Sequence, residues 1–361
     1  MSLPFAYGGP ALSGLLKSEP EDFEVDEQLG FEADGQGEHD LVRIEKRACN
    51  THWVADQLAK FAKVAPLAVG FAGLKDRQAV ATQHFTVQLP GRHVDWAELQ
   101  LPGVRLISVA RHSRKLKRGA LTGNRFMLRI REVDGDRARA AQMLERLATS
   151  GAPNYFGEQR FGHQGGNLNQ ARRLFAGARL DRQQRGFALS AARSEIFNQV
   201  LAMRVRQRSW DTVMAGEICV LDGKRTYFGP VSADDFAVTD DAEASLIHAR
   251  CRRGEIHPSG PLWGRGRLPT ADECAQLELS VADAHRVFTE GLERAGLDQE
   301  RRALRVSVAD LSFEWPTEHE LKLRFALPAG AYATAFVREL LALRLVPPGD
   351  MDSVASDGDF G

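Results

Sequence analysis

Between positions 124 and 131 the sequence alternates strictly: Asn124, Phe126, Leu128 and Ile130 fall on one face, and Arg125, Met127, Arg129 and Arg131 on the other. A period of two is what a strand buried on one face requires, whereas a helix would scatter the same side chains around its circumference. Residues 84–89 repeat the pattern, with apolar or β-branched side chains at every second position from Phe85. Residues 320–327 alternate in the same way, so strands lie both early and late in the chain. Residues 68–73 read as a short apolar strand relieved by glycines.

Helical patterns are interspersed. Thr51 can cap a helix that carries Trp53, Val54, Leu58 and Phe61 on one face. Residues 137–148 read as a second helix, ended by Gly151-Ala152-Pro153. From about 154 to about 304 the texture changes: helical stretches such as 195–206 mix with Gly-rich and polar ones such as 254–269. Pro328-Ala329-Gly330 then turns, and 331–345 reads as a helix stopped by Pro347-Pro348.

At 361 residues the chain exceeds the usual size of one domain, so two are expected. With 43% hydrophobic and 26% charged residues it can bury a sizeable core. The formal net charge of −1 does not advertise a polyanionic partner, so any such binding must rest on local distribution. That distribution is uneven. Positions 111–131 carry eight Lys or Arg and no acid, while acids crowd 19–27 and the last residues, where Asp350, Asp352, Asp357 and Asp359 sit among Gly and Ser. A disordered acidic tail is expected at 347–361.

Cys49, Cys219, Cys251 and Cys274 are widely spaced without a Cys-x-x-Cys pair, which points to reduced, buried thiols rather than a zinc site or disulfide framework. No apolar run is long enough for a bilayer, and the first residues lack the basic start of a secretory signal. A cytoplasmic protein with no metal and no membrane partner is expected.

The segment 73–83, Gly-Leu-Lys-Asp-Arg-Gln-Ala-Val-Ala-Thr-Gln, sets one acid among bases, amides and small side chains just before a strand. Asp76 is the leading catalytic candidate. The glycines and alanines around it would let a large polymer approach the backbone closely. By itself a Lys-Asp-Arg triplet between strands also fits a solvated turn.

Four further segments make the pattern specific: 17–27 (Lys-Ser-Glu-Pro-Glu-Asp-Phe-Glu-Val-Asp-Glu), 118–126 (Arg-Gly-Ala-Leu-Thr-Gly-Asn-Arg-Phe), 154–162 (Asn-Tyr-Phe-Gly-Glu-Gln-Arg-Phe-Gly) and 327–334 (Leu-Pro-Ala-Gly-Ala-Tyr-Ala-Thr). With 73–83, these five motifs, in this order and over almost the whole chain, resemble those of the TruD family of tRNA pseudouridine synthases. The resemblance implies an α+β protein with a pseudouridine-synthase-like mixed, mainly antiparallel sheet and flanking helices. It also implies a catalytic domain made of 1–153 and 305–346, interrupted by an inserted α+β TRUD domain at 154–304.

The implied reaction breaks the N-glycosidic bond of a tRNA uridine, turns the uracil and rejoins it through C5 without a cofactor; the resemblance points to tRNA position 13. Asp76 matches the family's indispensable aspartate, acting at C1′ or C2′ of the ribose. Such chemistry needs the base taken out of its stack and received by an aromatic wall with polar groups at its edge. Phe126 and Tyr332 match positions lining that pocket, Asn124 a polar one, and Lys17 and Phe23 residues that approach the acid. Tyr332 stands where the family pattern has phenylalanine, so its hydroxyl needs a partner. Arg160, set among three aromatics, is a candidate for holding RNA, and Arg114, Lys115, Lys117 and Arg118 for its phosphates. A monomer is expected.

Two other classes fit parts of the pattern. A glycoside hydrolase would want a second carboxylate, and none lies between Gly70 and Pro90. A non-catalytic RNA-binding module would use the basic and aromatic segments and leave Asp76 idle.

Overall fold

The computed structural model describes residues 3–224, 226–232 and 242–344. The tail expected at 347–361 lies outside the described residues. The chain starts with β1 (Leu12–Leu16), β2 (Phe23–Leu29), β3 (His39–Arg47), helix α1 (Thr51–Phe61), β4 (Val69–Phe71), β5 (Val80–Gln88), β6 (Val104–His112) and β7 (Leu121–Gly135). Helix α2 (Arg137–Ser150) and β8 (Ala152–Pro153) lead to α3 (Gly166–Phe175), α4 (Arg182–Arg206), β9 (Cys219–Leu221), β10 (Tyr227–Phe228), α5 (Ala242–Arg252) and β11 (Ile256–Leu262). Then follow α6 (Asp272–Ala284), α7 (Arg286–Arg294), β12 (Glu300–Ala303), β13 (Arg305–Val306), β14 (Ala309–Thr317), β15 (Glu320–Pro328), α8 (Ala333–Leu340) and β16 (Leu341–Arg344).

These elements form two compact units. The first holds the residues up to Pro10, Ala138–Val308 and Gly330–Leu340; the second holds Ala11–Arg137, Ala309–Ala329 and the chain from Leu341. The texture changes near 154 and 304 therefore lie inside the first unit.

The second unit is built on a mixed, mainly antiparallel sheet of ten described strands with the order β14-β15-β7-β2-β5-β3-β6; β1 joins β7, β16 joins β1 and β4 joins β5. Only β2 with β5 and β1 with β16 run parallel. The alternation in 124–131 becomes the middle of β7, where Phe126, Leu128 and Ile130 are buried and Arg125 is exposed. Against the same sheet, Val54 and Leu58 of α1 pack on Val42, Ile44, Phe85 and Val87, all wholly buried. Full burial of such side chains contributes about 1.5–3 kcal/mol each.

Helix α1 differs from expectation in two respects. Asn50 rather than Thr51 is the cap, its side chain accepting from the His52 N–H at 2.9 Å, because Thr51 is already inside the first turn. Trp53 is 39% exposed, since the buried stripe runs through Thr51, Val54, Ala55, Leu58 and Ala59. The expected helix at 331–345 ends at Leu340, where β16 starts and pairs with β1, Leu341 opposite Leu12. Pairing with a sheet edge overrides the helical pattern of those last residues.

In the first unit α4 is the spine. Ile196, Phe197, Val200 and Leu201 are wholly buried, and α3 and α7 close over it with Ala171, Phe288 and Leu292. A four-stranded sheet, β10-β9-β11-β12, completes the unit. Two buried ion pairs, Arg204 with Glu217 and Arg301 with Glu278, both at 2.7 Å, neutralise charges that could not be buried singly. Cys219, Cys251 and Cys274 are buried free thiols, and Cys49 is only half-buried.

Candidate active site

Asp76 stands on the loop joining β4 to β5. This loop is held at three backbone positions, 73, 75 and 76. The Gln83 amide donates to the Gly73 carbonyl at 2.7 Å, the Lys75 N–H donates to Thr51 Oγ1 at 3.0 Å, and the Lys46 ammonium donates to the Asp76 carbonyl at 3.0 Å. Thr51 and Gln83 are themselves joined at 3.2 Å, and Thr51, Gln83 and Lys46 are buried. Buried polar groups tied in this way rigidify what they hold. Gly70 serves the packing rather than polymer access: a Cβ there would meet the Leu116 carbonyl oxygen at 2.5 Å.

The Asp76 side chain remains 38% exposed. Its Oδ2 accepts from the Lys17 ammonium, and its Oδ1 from the Gln78 N–H at 3.1 Å. Burial pulls its pKa upward, but the Lys17 charge and hydrogen bond, the Gln78 N–H and Lys46 outweigh it and hold the carboxyl below the usual range. Asp76 is thus a carboxylate at neutral pH. Lys17 reaches it from a left-handed backbone, φ 64°, which non-glycine residues adopt at a cost.

The aromatic wall begins at the same lysine. Lys17 Nζ lies 4.3 Å from the centre of the Phe23 ring; Phe23 meets Phe126 edge-on at 5.9 Å, and Phe126 stacks on Phe325 at 5.2 Å. Asn124, one alternation before Phe126 on β7, accepts from the Lys75 ammonium next to Asp76. That ammonium also pairs with the buried Glu27 at 3.1 Å, and Glu27 accepts from the His84 N–H at 3.1 Å. Burial raises the Glu27 pKa, while His84 and Lys75 together carry it below the ordinary value. Five of the residues singled out in the sequence, Lys17, Phe23, Asp76, Asn124 and Phe126, therefore lie in one connected cluster of the second unit.

Arg160 and Tyr332 meet in the first unit. The Arg160 guanidinium donates to the Tyr332 hydroxyl from Nε at 2.9 Å and from Nη2 at 2.5 Å, and to Ser190 Oγ at 2.9 Å. The Tyr332 hydroxyl thus has its partner. Phe156 lies edge-on to Tyr332 at 6.0 Å and carries the Arg302 guanidinium 4.2 Å above its ring. Arg302 binds Asn154 Oδ1 at 2.6 Å and the Gly330 carbonyl at 3.1 Å; burial, opposed by Tyr332 and aided by Arg160, pushes its pKa down to about 10.

The basic loop after β6 splits into two kinds. Lys115 donates to the Leu67 carbonyl and Arg118 lies 4.1 Å above the Phe71 ring, so both are engaged with the fold. Arg114 and Lys117 are exposed, without an ion-pair partner among the described residues.

Lys46 and Arg302 are site neighbours that pattern reading does not single out; Thr51 is read there only as a helix cap and Glu27 only as the end of the 17–27 motif. Their partners lie up to 148 positions away, as Asn154 does from Arg302, and no local period encodes that. Among the described residues no group of three or more His, Cys, Asp or Glu could hold a metal, and no helix is long and apolar enough to cross a membrane.

Comparison with known proteins adds an independent line. The family model described as tRNA pseudouridine synthase D (TruD) matches residues 3–177 and 168–340. Proteins named tRNA pseudouridine synthase D from Xanthomonas euvesicatoria pv. vesicatoria and from Nitrosococcus oceani are 45% and 46% identical to this chain, over 94% and 93% of each partner. A Methanosarcina mazei protein whose crystal structure bears the same TruD name shares the fold at a TM-score of 0.73 and 20% identity, covering 94% of this chain and 98% of its own.

Proposed function

Because the chain belongs to the TruD family of tRNA pseudouridine synthases, it is an isomerase, and we propose that it converts a uridine of tRNA, at position 13, to pseudouridine with Asp76 acting at the ribose. The observation that carries this reading is the Asp76 carboxylate, kept ionised by Lys17 on a pinned loop and joined through that lysine to the Phe23–Phe126–Phe325 ring cluster.

The reaction needs a carboxylate at the sugar and a wall for the uracil while the glycosidic bond is open. An ionised, partly exposed Asp76 meets the first requirement, either as nucleophile at C1′ or as base at C2′. The Phe126 and Phe23 rings meet the second, and the Asn124 amide and Lys75 ammonium can read a base edge. Three backbone restraints on the loop keep the carboxylate from drifting, and sub-ångström placement is what orientation requires. Arg160, Tyr332 and the exposed Arg114 and Lys117 supply RNA contacts. The functional division is a catalytic domain of 1–153 and 305–346 with 154–304 as the inserted domain, acting as a monomer in the cytoplasm.

Release of tritium from C5-labelled uridine in an unmodified tRNA transcript tests this. The unaltered protein should release it, and Asp76→Asn should lose about 10⁴-fold or more in rate while binding tRNA as before. Full activity in that variant would remove Asp76 from the chemistry. Binding without release from either protein would favour a non-catalytic RNA-binding module.

A further inference from the structure

Positions 172–193 carry six arginines, 172, 173, 179, 182, 185 and 193, against a single acid, Asp181. That acid is occupied as the cap of α4, its carboxylate accepting from the Gln184 N–H at 2.8 Å. Arg193 reaches Glu300 at 3.3 Å, but Arg160, Arg182 and Arg185 have no carboxylate within ion-pair distance among the described residues. The start of α4 is therefore a cationic surface that the protein does not neutralise itself.

An open groove of about 530 Å³ lies in this surface, lined by Arg160, Arg182, Gln183, Gly186, Phe187 and Ser190. Its lining holds no acid. The volume is within the roughly 300–1,000 Å³ of sites that take one small ligand. Phe187 is 51% exposed, more than the other exposed phenylalanines among the described residues, Phe5, Phe31 and Phe313.

Gly186 is the second, independent observation. It lies inside a 25-residue helix, where glycine is the poorest choice after proline. A Cβ there would meet nothing within 4 Å, so neither packing nor a turn calls for glycine. What the missing side chain does is leave the groove floor bare beside Phe187. A helix weakened for no internal reason at a basic and aromatic groove is what close approach of a flat ligand would require.

We propose that this groove seats an unpaired nucleotide of the tRNA, its base stacked on the Phe187 ring over Gly186 and its phosphate held by Arg160 and Arg182. The proposal rests on the tRNA reading above. Aromatic stacking tolerates any base, and guanidinium groups supply the backbone contact, the combination used on single-stranded nucleic acid. Ser190 and Arg160 make the groove continuous with Tyr332, because one guanidinium bonds both hydroxyls.

The test uses the full chain and an unmodified tRNA transcript. Phe187→Ala should weaken binding about tenfold and raise KM correspondingly. Arg182→Gln should lower the slope of log affinity against log salt by about 0.7. Gly186→Leu separates folding from binding: it should melt at a higher temperature than the unaltered protein yet bind tRNA more weakly. Unchanged affinity in all three variants, with tritium release intact, would overturn the groove and leave the catalytic reading standing. Groove-dependent binding without any tritium release would support the groove and sink the catalytic reading. If the unaltered protein does not bind tRNA at all, both fall.

Discussion

The Asp76 loop and the Arg160–Tyr332 strip use charge in opposite ways. Around Asp76 opposite charges are matched: Lys17 pairs with Asp76 and Lys75 with Glu27. Around Arg160 the guanidinium groups bind neutral oxygens of Tyr332, Ser190, Asn154 and Gly330, with no ion-pair partner among the described residues. Internal pairing fixes position at the expense of external attraction; unpaired cations do the reverse. Chemistry on one bond needs the former, and holding a polyanion needs the latter.

Beyond Asp76→Asn, the comparison is tested most severely at Lys17. In Lys17→Met, burial would act on Asp76 without its main counter-charge, so the carboxyl pKa should rise. The rate at neutral pH should fall roughly tenfold to hundredfold, and the acid limb of the pH–rate profile should move to higher pH. An unmoved acid limb would show that Lys17 does not govern the Asp76 charge.

Next in size is Lys46, whose pKa burial depresses to about 8 from 10.5. Between those pH values the unfolded chain binds the proton that the folded protein has shed, so this group makes stability rise with pH across that window. Melting curves of the unaltered protein and Lys46→Met from pH 7.5 to 11 should show the unaltered protein gaining on the variant over about pH 8 to 10.5. Parallel curves would place the titration elsewhere.

Removing both exposed cations of the basic loop, Arg114→Ala with Lys117→Ala, should reduce the salt slope of tRNA binding by roughly 1 to 2 without changing kcat. An unaltered slope would take that loop off the RNA surface. The smallest effect is expected from Tyr332→Phe, which removes the hydroxyl that Arg160 binds. A stability loss of about 1 kcal/mol, read by denaturant titration, and a severalfold change in KM are expected. A loss of a hundredfold would mean the hydroxyl takes part in the reaction.

How much of this the sequence reveals depends on the range of the interaction. Alternation in 124–131 places Asn124 and Phe126 on one face, because side-chain direction in a strand is set by neighbours in sequence. The five motifs hold many residues of the two clusters but not Phe325, Ser190 or Arg302. The stripe of α1 is legible only in part: Val54 and Leu58 are buried and Trp53 is not, since a helical wheel cannot tell which edge of an apolar arc meets the sheet. The restraints on the Asp76 loop are invisible, because Lys46 and Thr51 act from 30 and 24 positions away. The end of α8 is hidden for the same reason: a strand at the other end of the chain decides it.

The order of the strands has a consequence during synthesis. Residues 123–128 of β7 pair on one side with β2, already made, and 123–130 pair on the other with β15, which follows only after Ala138–Val308. At roughly 5–20 residues per second that interval lasts roughly ten to thirty-five seconds. Throughout it, the growing chain presents Phe126, Leu128 and their neighbours on an unzipped edge, the kind of template that invites pairing with a stranger. The nascent polypeptide is thus most open to such pairing midway through translation rather than at its end.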